Sequence, residues 1–111
     1  MNYQHVNLAA GRWEQLSFLE QMANIGSEVN RALNWRSKKN EAYAQKAFER
    51  ALELLDFTLE STSQNFFRCR EIARVREALA DYFFGTNQFS STEAFWRKYF
   101  DAFTYAVRQH R

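Results

Sequence analysis

The sequence predicts an all-α fold, an antiparallel bundle of four helices. Three observations carry that expectation. Apolar residues recur at three- and four-residue steps through four separate stretches, the period of a helix that buries one face. Proline is absent from all 111 residues. No strand-like alternation of useful length interrupts the helical stretches. The helices are expected at about 12–37, 39–61, 66–84 and 92–109, within one domain (12–111) preceded by a flexible segment, 1–11.

In the first helix, Leu19, Met22, Gly26, Val29 and Leu33 form a coiled-coil-like seam. Glycine inside a helix costs about 1 kcal/mol against alanine. Gly26 therefore marks either a close approach of a neighbouring helix or a kink. Asn24, Glu28 and Arg31 flank the seam at helical spacing and suit a polar network with an arginine from another helix. Such networks more often fix register or oligomeric state than perform chemistry.

The link to the second helix is short and basic. Lys38 and Lys39 suit the C-terminal end of the first helix, where the backbone dipole favours cations. A link this short turns the second helix back antiparallel to the first. That second helix has the cleanest pattern in the chain: Ala44, Ala47, Phe48, Ala51, Leu55 and Leu59 share one face, and charged residues fill most of the remainder. It reads as the inner helix, its alanines making room for the bulky rings of the fourth. The polar run Ser61–Asn65 ends it.

The third helix carries the stripe Ile72, Val75, Leu79, Tyr82 and Phe83. Gly85 stands where a left-handed C-cap is expected. Ser90 with Glu93 reads as a capping box for the fourth helix. That helix is broad and aromatic, with Phe95, Trp96, Tyr99, Phe100 and Phe103 on one wide face.

Eleven Phe, 5 Tyr and 3 Trp are a large apolar load, since each buried ring removes roughly 150–250 Å² from water. A four-helix monomer of this size has limited room for them, so a homodimer is expected, with Trp96, Tyr99, Phe103 and Tyr105 as candidate interface residues. Charge excludes more than it suggests. Lys+Arg number 15 and Asp+Glu 13, a net +2 with both signs mixed, whereas non-specific nucleic-acid binders are usually more basic. Arg70 and Arg74 on the third helix, with Arg97 and Lys98 on the fourth, are the candidates for a nucleic-acid contact. No apolar run approaches a membrane span, the first residues lack a signal-peptide pattern, and the single cysteine, Cys69, suits a reducing compartment. A cytoplasmic location without membrane attachment is expected.

Catalytic and metal chemistry find no constellation. His5 and His110 lie near the ends, and neither follows a Glu at the Glu-x-x-His spacing of di-iron bundles. One cysteine and two histidines do not complete a structural zinc site. Gly11, Gly26 and Gly85 are too far apart for a phosphate loop. No cofactor and no enzymatic activity are expected.

Two resemblances remain. Ala44-x-x-x-Phe48-x-x-Ala51-Leu52-Glu53-Leu54 resembles the second helix of a tetratricopeptide repeat, with Trp35 upstream. The resemblance implies a groove that binds a peptide. It covers about a fifth of the chain, without a second copy and without the glycine of the inter-helix turn, where Lys39 and Asn40 stand. The whole chain also resembles small uncharacterised bacterial helical-bundle proteins, which implies no particular activity. The reading is a self-associating, protein-binding, non-catalytic module. A small nucleic-acid-binding subunit of a ribonucleoprotein or defence complex is the first alternative, and a HEPN-like partner of a nucleotidyltransferase the second. The HEPN motif would place an Arg at position 103, 104 or 105 ahead of His110, and those positions hold Phe103, Thr104 and Tyr105.

Overall fold

The computed structural model describes residues 11–109. Four helices form, α1 (Phe18–Ser37), α2 (Glu41–Ser61), α3 (Phe66–Phe84) and α4 (Glu93–Gln109). A 3₁₀ turn, Trp13–Gln15, precedes them. Among the described residues there is no strand. The expectation for residues 1–11 falls, except for Gly11, outside the described residues.

The first helix starts later than its periodicity suggests. Ser17 is its N-cap: the side chain accepts from Glu20 N–H, and the Glu20 carboxylate accepts from Ser17 N–H. This is a complete capping box, satisfying two donors that the helix start would leave unpaired. Residues 12–17 instead swing Trp13 under the bundle. Its ring is 2 % exposed, and Nε1–H donates to Thr58 Oγ1 of α2 at 2.9 Å. Gln21 Nε2 donates to the Trp13 carbonyl at 3.0 Å. Thr58 in turn donates to Leu54 O, and Ser61 Oγ reaches Gln21 Oε1. Buried polar groups are stable only when paired, and here each finds a partner within one plug.

The α1–α2 turn is held by backbone bonds from Lys38, Lys39 and Asn40 to the end of α1. Lys39 has φ 61°, the left-handed conformation that glycine adopts without cost. The turn is thus closed by a lysine held in a conformation that glycine usually takes. Asn40 then caps α2 by accepting from Tyr43 N–H.

The spatial order is α3–α2–α1–α4. The central pair is α1 with α2, α4 lies on the other side of α1, and α3 rests on α2. The expectation that α2 lies inside therefore holds, as one of the central pair, but the expectation that it receives the rings of α4 is corrected. Of its three buried alanines, Ala44, Ala47 and Ala51, the last two fall on the same flank as Thr58, towards α1 and the Trp13 plug. Room for α4 comes from α1. A Cβ at Gly26 would lie 2.7 Å from Phe100 Cβ, so the close-approach reading of this glycine holds. Helix α1 continues unbroken through it from Phe18 to Ser37. Residues Met22, Ile25, Val29 and Leu33 of α1 and Phe48 and Leu55 of α2 form the centre, all fully buried.

Helix α3 is fixed to α2 by Phe48 stacked on Phe83 (4.2 Å between centroids) and by Arg76 paired with Asp56 at 2.7 Å. At its C-terminus Gly85 is extended, with φ −96° and ψ −158°, not left-handed. Space, not handedness, selects glycine there: a Cβ would meet Asp81 Oδ1 at 2.8 Å. The N-cap of α4 is Thr92, whose Oγ1 accepts from Phe95 N–H at 3.0 Å. Ser90, expected to cap, instead turns the loop at φ 55°.

Candidate functional site

The open side of the molecule lies between α3 and α4, the two helices that barely approach each other. On α3, Phe67, Glu71, Arg74 and Ala78 recur at i, i+4, i+7 and i+11, a second face separate from the stripe that meets α2. On α4, Phe95, Trp96 and Tyr99 face them. Between the two walls runs a mainly apolar groove. One part, about 520 Å³, extends from Val75 and Ala78 to Phe89, Phe95 and Trp96. A second part, about 380 Å³, continues past Arg74, Val75 and Tyr99 to Phe67, Arg70 and Glu71.

The loop 85–92 closes one end and is itself well fixed. Asp81 O accepts from Gly85 N–H and Asn87 N–H, and Asp81 Oδ2 accepts from Phe89 N–H. Asn87, at φ 58°, exchanges two hydrogen bonds with Ser91. The effect is to hold Phe89 at the groove mouth, 55 % exposed, opposite Phe95 at 52 %. Phe67, at the other end, is 80 % exposed.

The walls are tied at one point. Tyr99 O–H donates to Glu71 Oε2 at 2.8 Å. Burial of the phenol, reinforced by the hydrogen bond to the carboxylate and its negative charge, pushes the Tyr99 pKa far above its ordinary value. Trp96 is 2 % exposed, and its Nε1–H has no acceptor among the described residues.

The expected site residues part company here. Arg70 and Arg74 both line the groove, and neither forms an ion pair among the described residues. Arg97 does not join them: it donates to Asn30 and Asn34 of α1 and pairs with Glu93, on the far side of α4. Lys98 is exposed on the flank it shares with Tyr105, seven residues on, and lines neither part of the groove. The four cations therefore do not build one surface. Of the network expected on α1, Glu28 accepts from Arg31 at 3.0 Å and from Arg50 of α2 at 3.1 Å. Asn24 stands apart and donates to Glu20 O of its own helix.

Of the residues expected at an interface, Trp96 is corrected to a core ring. Phe103 is half-buried against Phe18 and Tyr99, and only Tyr105 is largely exposed. Phe89 and Phe95 were not expected to define a site. Phe89 sits in a loop without periodicity, and Phe95 is hidden in an aromatic face too broad to divide by sequence. The histidines that a HEPN-like activity needs, His5 and His110, lie outside the described residues. Among the described residues, no three His, Cys, Asp or Glu side chains come together as metal ligands, and no helix is long and apolar enough to cross a membrane.

Comparison with protein-family models, with curated proteins and with solved structures gives no match to this chain. The groove is accordingly read from its own chemistry.

Proposed function

We propose that the protein is a non-catalytic interaction module whose α3–α4 groove receives an apolar segment of a protein partner. The supporting observation is the groove itself. It presents half-exposed Phe89 and Phe95 over an apolar floor of Val75, Ala78 and Trp96. Large exposed rings gathered in a concave, polar-rimmed surface are characteristic of recognition sites rather than of idle surface. The segregation of Arg97 from Arg70 and Arg74 supports a protein partner over a nucleic acid, which would need the cations along one track.

Selection of binders from a library of random peptides displayed on phage tests this reading. Sequences with an apolar stripe are expected, and their binding is expected to be lost in Ala78→Arg, which fills the groove from its α3 wall. Failure to enrich any sequence, or binding untouched by Ala78→Arg, overturns the proposal.

Self-association is a second reading. Phe66, Phe84 and Tyr105 expose large rings outside the groove. Sedimentation equilibrium is expected to show a dimer that weakens in Tyr105→Glu; a monomer throughout the micromolar range removes this reading.

A further inference from the structure

We infer that the occupant of the α3–α4 groove is an amphipathic helix of about three turns, bearing acidic residues on the flank that meets Arg70 and Arg74. This inference rests on the docking reading above and names the partner's chemistry.

Three features lead to it. The first is the backbone of the guest. An extended peptide either pairs its main chain with an open strand edge or, as a proline-rich segment, leaves its amides in solvent over a shallow aromatic groove. The described residues contain no strand, and both walls are helices whose backbone bonds are internal. A guest entering an apolar channel between them must satisfy its own amides, because unpaired buried amides are costly. A helix does this.

The second is length. The groove face of α3 runs from Phe67 to Ala78. At 1.5 Å per residue those eleven steps span roughly 16 Å, close to three helical turns. The fixed loop at Phe89–Thr92 bounds the groove at one end.

The third is charge. Glu71 is the one carboxylate among the lining residues, and one of its oxygens accepts from Tyr99. Arg70 and Arg74 stand on the same wall. Glu77 is three residues from Arg74 and Glu71 is equally close in sequence, yet no ion pair forms with either. Among the described residues Arg31, Arg50, Arg76 and Arg97 are each paired with a carboxylate, and Arg36 and Arg68 lie over aromatic rings. Arg12 and Arg108 share with Arg70 and Arg74 the lack of an ion pair, so it is their place on the groove wall that sets the latter two apart. Two guanidiniums without an ion pair among the described residues, beside an apolar channel, complement an acidic flank and disfavour a basic one.

Two synthetic, side-chain-stapled helices of about three turns test the inference on the full chain. They share one Leu/Phe stripe and differ only in carrying Glu or Lys beside it. Binding is read by fluorescence anisotropy, and its location by amide shifts of the isotope-labelled protein. The Glu helix is expected to bind about tenfold more tightly than the Lys helix at low salt, the size of two rim ion pairs. The preference is expected to invert in Arg70→Glu/Arg74→Glu. Both substitutions are at exposed positions, and an unchanged circular dichroism spectrum shows that the double variant still folds.

Equal binding of the two helices, with shifts at Phe89 and Phe95, overturns the acidic-flank inference and leaves the docking groove standing. Absence of any shift at the groove with either helix overturns both. A dimer dissolved by Ala78→Arg would make a second copy the occupant and overturn the inference as well. So would an oligonucleotide that shifts Arg70 and Arg74 while the Glu helix does not.

Discussion

The α1–α2 pair and the α3–α4 pair are built from similar helices with opposite outcomes. Between α1 and α2 lie small residues and paired polar groups: Ala32, Ala47 and Ala51 are fully buried, and the Trp13–Thr58–Gln21 plug satisfies its own donors. Between α3 and α4 lie rings, two arginines and one cross-groove hydrogen bond. Closeness comes from what is absent at a contact. A helix pair seals where side chains are small enough for the backbones to approach, and stays open where bulky groups stand off on both walls. Stability is thereby concentrated in one half of the molecule and recognition in the other.

The largest break in this contrast is expected from Trp13→Ala. Removing a ring of this size from a buried site costs roughly 3–5 kcal/mol, and it also leaves Thr58 Oγ1 without the indole donor. Urea denaturation followed by far-UV circular dichroism measures it, and a cost below about 1 kcal/mol would show that the plug contributes little. Gly26→Ala comes next. The gain of about 1 kcal/mol in helix propensity is outweighed by a Cβ 2.7 Å from Phe100 Cβ, for a net loss of about 1–3 kcal/mol. An unchanged or raised midpoint would mean that α4 moves away without cost.

Smaller effects sharpen the other side. Lys39→Gly relieves a left-handed lysine and is expected to stabilise by about 0.5–1 kcal/mol, read as a higher melting temperature. Phe95→Ala is expected to change stability by no more than about 0.5 kcal/mol while removing peptide binding. A loss several times larger would make Phe95 structural and the contrast between the two pairs less sharp.

Tyr99→Phe carries the pH dependence. The folded protein holds this phenol's proton more tightly than the unfolded chain does. Its contribution is fully present below the ordinary tyrosine pKa of about 10 and is lost as pH rises above it. The wild type should therefore lose more stability than Tyr99→Phe between about pH 10 and 11.5. Parallel curves for the two proteins would remove Tyr99 as the source.

The helices were legible in the sequence because four apolar periodicities are separated by polar breaks, and α2 and α3 fall close to their expected limits. What escaped was set by contacts between elements. Trp13 continues the helical pattern in sequence, yet the Ser17–Glu20 capping box starts α1 after it and frees the indole to reach α2. Gly85 and Ser90 were assigned by residue type, but the side chains of Asp81 and Asn87 organise that loop. The groove was the least legible feature. Periodicity shows that α3 has an outward face with Phe67 and Ala78, but not that α4 stands across from it. Arg50 as the partner of Glu28, twenty-two positions away, likewise follows only from the antiparallel register.

The Trp13 plug has a mechanical consequence. The α1–α2 hairpin is fastened at both ends, by the Lys38–Asn40 turn at one and by the indole at the other, so it behaves as a closed clasp. Sliding α1 along α2 by one turn would require withdrawing the indole from Thr58. Among the described residues the α3–α4 pair has no such fastening beyond one phenol. Slow breathing should therefore be confined to it, with amides of α1 and α2 exchanging with solvent last and those of α3 along the groove first. The groove can widen around a guest while the clasp keeps its register.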